Sequence, residues 1–192
     1  MSAIPAIRLR SYHAPADLVQ LFDAAFRDEN TLLLPHPDAW KGNHDEPASE
    51  PVYLPASEAC PHDRIVFAHG FFASALHEVA HWCLSGARRR RLPDYGYWYQ
   101  ADGRDAEQQA EFERVEARPQ ALEWAFSIAC DFPFRISTDN LSGITPDHEA
   151  FRRKVRGELR QFVEHGFPER AKRFIDVLVD FYATNPQWAD ID

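Results

Sequence analysis

The chain of 192 residues contains no apolar run approaching the roughly 20 residues that cross a bilayer, so no membrane span is expected. Its first ten residues, Met1 to Arg10, lack the apolar core of a secretory signal. Cysteine is scarce. Cys60, Cys83 and Cys130 make an odd set without paired spacing, which fits reduced thiols and a cytoplasmic location. A basic excess is also missing. The formal net charge is -9, which argues against direct, nonspecific nucleic-acid binding. There is no internal repeat, no low-complexity tract, and no recognisable binding motif for 2-oxoglutarate, flavin or nicotinamide. What is present is ordinary for a globular domain, with 45% hydrophobic and 27% charged residues. That length can bury a single core, and residues 1–192 are expected to form one domain.

Hydrophobic periodicity predicts several helices and a few short strands, an α+β class rich in helix. Leu18, Leu21, Phe22, Ala25 and Phe26 mark an amphipathic helix near residues 16–28. Residues 30–62 hold six prolines and read as an irregular surface segment, with room for a very short strand within Pro51 to Pro55. Arg64 to Ala68 reads as a buried strand, and Tyr95 to Tyr99 as an aromatic one. A helix is expected from near Gly70 to Gly86, with Gly86 as a left-handed cap. Polar residues 104–117 predict another helix that Pro119 breaks or kinks, followed by a more apolar helix through Leu122, Ala125, Phe126 and Ala129. Phe134 to Ser137 is a further strand candidate. Thr145-Pro146 predicts the start of a helix with Phe151, Val155, Leu159, Phe162 and Val163 inward. Pro168 opens the last helix, with Phe174, Val177, Leu178, Phe181 and Tyr182 on its inner face.

The chemistry is concentrated in His77-Glu78-Val79-Ala80-His81, an HExxH motif. On a helix, residues four apart share a face, so both imidazoles can converge on one metal ion. Glu78 then points to a neighbouring face, within reach of a metal-bound water or a substrate. The flanking residues Ala75, Leu76, Trp82, Cys83 and Leu84 are uncharged and predict a buried helix, with Cys83 in the core.

Two histidines need a third ligand. A carboxylate completes either a His2Glu zinc site or the facial triad of non-haem iron. Glu113 and Glu116, three apart, are both candidates, and periodicity does not choose between them. His69 lies eight residues before His77 and is expected to play a supporting part at most. Arg88-Arg89-Arg90-Arg91 directly follows the motif. On an acidic chain such a patch can steer an acidic protein partner, although a solvated face is the plainer reading. A second basic group, Arg152, Arg153, Lys154 and Arg156, reads as a solvated helix face. In a strand, Tyr97 and Tyr99 share one side and are candidate substrate contacts.

Longer strings carry a resemblance. Arg64 to Cys83, Asp94 to Tyr99, Asp102-Gly103-Arg104-Asp105, Phe112 to Glu116, Pro119 to Leu122 and Asp139-Asn140-Leu141 closely resemble the bacterial elongation factor P hydroxylase family. They run in order from about Glu46 to Tyr182. One departure is the stretch from about Leu33 to Glu50, which is longer here than in the family pattern. The resemblance implies an iron-type, non-haem monooxygenase that hydroxylates the lysine of elongation factor P already extended by a β-lysyl group. It implies His77 and His81 as metal ligands, with Glu116 matching the family's carboxylate better than Glu113. The expected cofactor is Fe(II), with zinc possible as isolated, and the expected partners are β-lysylated elongation factor P and O2. The alternatives are a zincin-like metallopeptidase with Glu78 as general base, and a metal-stabilised module that binds translation factors without catalysis.

Overall fold

The computed structural model describes residues 13–37, 50–96 and 102–191. Among these described residues, five α-helices and three strands are ordered as follows: α1 (Pro15–Ala25), β1 (Thr31–Pro35), β2 (Val52–Leu54), β3 (Asp63–Phe67), α2 (Phe72–Leu84), α3 (Ala106–Ala129), α4 (His148–His165) and α5 (Glu169–Tyr182). The class is helix-rich α+β, as expected.

Three strands form one small sheet in the order β1-β3-β2. β1 runs parallel to β3 with Leu33 opposite Ile65, and β2 runs antiparallel with Tyr53 opposite the same Ile65. All three side chains are buried. The expected irregular segment at 30–62 therefore begins with a strand. Its proline, Pro35, closes an edge strand, where a missing amide proton costs least.

α1 places Leu18, Phe22 and Ala25 inward and ends at Phe26, shorter than its periodicity suggests, because a 3-10 turn at Arg27–Glu29 leads to Asn30 in the left-handed region. Phe22 and Phe26 pack edge-on against Trp82 of α2, with ring centroids 5.1 and 4.8 Å apart. Such pairs contribute about 0.5–1.5 kcal/mol each beyond simple burial. They tie α1 to the helix that carries the motif.

β3 leads into α2 through a tight turn in which His69 and Gly70 both have positive φ. The Ser74 hydroxyl accepts the Ala68 amide at 2.9 Å and fixes that entry. At its other end α2 stops at Leu84, and Ser85 is extended. Gly86 is not among the glycines with positive φ, so it is not the left-handed cap that was expected. Cations close this end instead. Arg90 Nη1 and Arg170 Nη2 donate to the Ser85 carbonyl at 3.0 and 2.5 Å, and Arg170 also reaches the Cys83 carbonyl at 3.3 Å. Guanidinium groups satisfy orphan carbonyls and suit the negative end of the helix.

α3 is one helix of 24 residues that runs through Pro119. No break occurs there. Proline removes the amide that would donate to the Val115 carbonyl, a cost of about 3 kcal/mol in an isolated helix interior. Packing overrides it, because α3 lies against α2, α4 and α5, and most residues from Ala117 to Ala129 are buried. Asp105 caps its start in a reciprocal box with Gln108.

Phe134 to Ser137 forms no strand. Gln120 of α3 clamps that segment instead, donating to the Ser137 carbonyl at 2.7 Å and accepting its amide at 3.0 Å. α4 begins at His148 rather than after Thr145, because the Asp147 side chain supplies the cap to the Ala150 amide. Phe151, Val155, Leu159 and Phe162 are buried, while Val163 lies at the exposed edge of that face. Phe174 and Leu178 of α5 are buried together with Ile175; Val177 and Tyr182 pack only partly against the core. Cys83 and Cys130 are buried free thiols. Residues expected as the aromatic strand begin with a 3-10 turn at Pro93–Gly96, and Tyr97 and Tyr99 lie outside the described residues. Among the described residues no helix is long and apolar enough to cross a membrane.

Candidate metal centre

α2 and α3 pack face to face, and their polar side chains meet at one point. His77 and His81, one turn apart on α2, bring their Nε2 atoms within 3.0 Å of each other. Glu116 reaches across from α3, with Oε2 3.4 Å from His77 Nε2 and Oε1 3.4 Å from His81 Nε2. Ligands about 2.1 Å from one metal ion stand about 3.0 Å apart at a right angle and about 3.4 Å apart at a tetrahedral angle. Both separations fall in that range, so the three donors fit one divalent ion on a single face. They form the His/His/carboxylate group that the described residues offer for a metal.

Burial is graded across the group. The Glu116 side chain is 1% exposed, that of His81 10% and that of His77 23%. Access is therefore from the His77 side. Glu116 is held well below the ordinary glutamate range. Burial alone opposes its charge, but the two imidazoles facing it outweigh that effect. His77 is shifted the other way. Burial lowers it, and hydrogen bonds to Glu116 and Glu123 more than reverse the effect, so it titrates well above 6.5.

Glu78 is buried on α2 beside the pair. Burial raises its pKa, partly offset by the nearby imidazoles and reinforced by Glu116 and Asp94. It therefore holds a proton to higher pH than an ordinary glutamate. Glu113, the other candidate ligand, is elsewhere: its Oε2 is 2.7 Å from Lys154 Nζ of α4. His69 sits in the turn before α2 and does not join the three converging donors.

The arginine run divides in two. Arg90 turns inward, donating to Ser85, lying over the Trp82 ring and pairing with Glu29 at 3.8 Å. Arg89 donates to the Tyr95 carbonyl at 3.1 Å. Arg88 and Arg91 are exposed. Arg89 thereby steadies a strained turn, in which Asp94, Tyr95 and Gly96 have φ of 47°, 58° and 71°. Tyr95 is buried, stacks on Tyr53 at 4.2 Å, and lies parallel to the His81 ring at 6.3 Å.

Sequence reasoning missed Glu123. Its Oε2 is 2.8 Å from His77 Nδ1, on the side of the ring away from the other donors. A signal for it existed. Glu123 lies seven residues after Glu116, two turns along one helix face, but that relation holds only if the helix runs through Pro119.

The fold and these side chains present one candidate metal centre of the HExxH kind, with its third candidate donor on a separate helix. Similarity narrows the class. A family model described as elongation factor P hydroxylase matches residues 21–191. A curated protein of Haemophilus influenzae, named elongation factor P lysine hydroxylase, is 43% identical over 173 residues, covering 90% of this chain and 91% of that protein. The chain belongs to the elongation factor P hydroxylase family.

Proposed function

We propose that this chain is an Fe(II)-dependent, cytoplasmic monooxygenase, a single catalytic domain that hydroxylates the β-lysylated lysine of elongation factor P. Family membership and the name of the Haemophilus relative support the reaction and the protein substrate. The single structural observation that carries the metal reading is the convergence of His77, His81 and Glu116. Bound iron supplies activation of O2, with one oxygen atom entering a C–H bond, the other leaving as water, and an electron pair coming from an external reductant.

The protein's own contribution is positioning. His77 and His81 from α2 and Glu116 from α3 would hold the ion between the two helices. Glu116 supplies a negative charge in an almost fully buried position, where its attraction for a cation is weakly screened. The apolar residues around the motif, including Leu76, Val79, Ala80 and Trp82, are fully buried and anchor α2 in the core. Glu78 stands beside the group as a carboxyl whose burial favours its neutral form more than water would. The partly exposed edge of His77 marks the approach for a long modified lysine; Tyr97 and Tyr99 are candidate contacts from the sequence alone. Arg88 and Arg91 give the protein substrate an exposed positive surface.

Incubating β-lysylated elongation factor P with this protein, Fe(II), O2 and a reductant tests the reading by mass spectrometry. The expected result is a gain of one oxygen atom on the modified lysine, with poor reaction of the unmodified factor. Zinc-dependent peptide cleavage, lost in Glu78→Gln and unaccompanied by any mass gain on the factor, overturns it in favour of a peptidase.

A further inference from the structure

We infer that Glu123 is the positioning residue of the metal centre: it holds His77 as the Nδ1–H tautomer and leaves the Nε2 lone pair for the ion. This rests on the reading of His77, His81 and Glu116 as the metal ligands.

The contact sets the direction of the proton. Glu123 Oε2 and His77 Nδ1 are 2.8 Å apart. An ionised carboxylate accepts hydrogen bonds and does not donate them, so a lone pair on Nδ1 would face another at hydrogen-bond distance. The proton therefore lies on Nδ1. In a neutral imidazole the other nitrogen is then the acceptor. That nitrogen is Nε2, the atom that faces His81 and Glu116. One ring thus carries its proton toward one carboxylate of α3 and its lone pair toward the site bounded by the other.

The surroundings argue against a packing role. Glu123 is buried, and its neighbours Ala121, Leu122 and Trp124 are buried apolar residues. A carboxylate in that setting costs free energy unless a partner compensates, and its partner is His77 on the facing helix. Among the described residues no carboxylate makes the same hydrogen bond to His81. The two ligand histidines are thus unequal. His77, the more exposed of the two, has its ring orientation fixed from behind. Carboxylates that orient a ligand histidine typically alter metal affinity by about 10–100-fold when removed.

The test compares Glu123→Leu, which removes the acceptor, with Glu123→Gln, whose amide oxygen still accepts from Nδ1–H. Co2+ titration of the full chain reads affinity and the visible spectrum of the bound ion, without any turnover. Glu123→Leu is expected to weaken Co2+ binding by about 10–100-fold and to alter the spectrum, while Glu123→Gln recovers most of both. Wild-type affinity and spectrum in Glu123→Leu overturn the inference. Nitrogen-15 NMR of the zinc-loaded wild type provides a check that needs no variant. A proton on His77 Nδ1 supports the assignment, and zinc on that nitrogen overturns it. Failure of the wild type to bind either Co2+ or zinc instead removes the metal reading itself, a result distinct from an unaltered Glu123→Leu variant.

Discussion

Helices α2 and α3 meet at one cluster, yet they bury different kinds of surface. α2 is apolar nearly throughout its buried length, and His77, Glu78 and His81 interrupt an otherwise hydrophobic helix. α3 buries four long polar side chains, Gln109, Glu116, Gln120 and Glu123, alongside its apolar ones. Each of the four has a named partner. Gln109 accepts from Arg104 Nε at 3.0 Å, Gln120 clamps Ser137, Glu116 faces both His77 and His81, and Glu123 bonds His77. α2 is held by shape and burial, which tolerate modest changes of side chain. α3 is held largely by specific pairings, where losing one partner leaves the other buried and unsatisfied at about 1–3 kcal/mol. The candidate metal centre lies where the two modes meet.

The largest effect is expected from emptying the α2 side of the cluster. His77→Ala and His81→Ala should each lose bound metal and hydroxylation together, while the fold persists because α2 keeps its apolar face. Elemental analysis and mass spectrometry of the factor read both. Full metal occupancy in either variant would break the assignment of α2 as the ligand helix.

On the α3 side the contrast is between two glutamates one turn apart. Glu116→Gln should abolish activity, since a buried neutral amide replaces the carboxylate that, among the described residues, faces both imidazoles. Glu113→Gln loses a partly exposed pair with Lys154 and should cost at most about 1 kcal/mol of stability, with activity nearly unchanged. Reversal of that order would move the third ligand to Glu113 and leave the metal site standing.

A smaller effect follows from acidity. In the metal-free protein His77 is raised above 6.5, so its contribution to stability is full below pH 6.5 and fades as pH rises through its folded value. Glu116 is lowered from 4.5, so its contribution is present above pH 4.5 and is lost as pH falls through its folded value. The pair therefore supports the empty fold most fully between pH 4.5 and 6.5. Metal competes for the same Nε2 atom. Binding should release about one proton near neutral pH, and affinity should rise with pH. Calorimetry in buffers of different ionisation enthalpy measures that proton; metal affinity independent of pH from 6 to 8 would contradict it.

The same contrast explains what was legible in the sequence. On α2 every signal agreed: motif, uncharged flanks and a strand before it. Only its end was misplaced, because the residues that close it, Arg90 and Arg170, lie outside the helix, and Arg170 is distant in sequence. α3 gave conflicting signals. Its buried polar residues blur the apolar stripe, and Pro119 argues locally for a break that packing overrides. The seven-residue relation between Glu116 and Glu123 was hidden with it. Glu113 and Glu116 were equivalent by spacing; family resemblance favoured Glu116, and the structure brings Glu116 to the histidines. β1 was concealed for a related reason, since its pairing with β3 is nonlocal and its proline stands at the tolerant end of an edge strand. Tertiary context decided each of these cases.

The smallest expected effect separates support of α2 from recognition by it. The run Arg88 to Arg91 is uniform in sequence but divided in structure. Arg90 anchors the end of α2 at Ser85 and lies against Trp82, so Arg90→Ala should destabilise the fold by about 1–2 kcal/mol, read by thermal melting. Arg88 and Arg91 are exposed, and Arg88→Glu with Arg91→Glu should leave the melt nearly unchanged. If these two steer elongation factor P, the double reversal should weaken its binding severalfold at low salt, and the difference from wild type should shrink as ionic strength shortens the screening length. The two measurements are independent. A changed melt in the exposed pair would place them with Arg90 as structural residues. Unchanged affinity at every salt concentration would return Arg88 and Arg91 to a solvated face, and docking would then depend on surfaces nearer the open edge of His77.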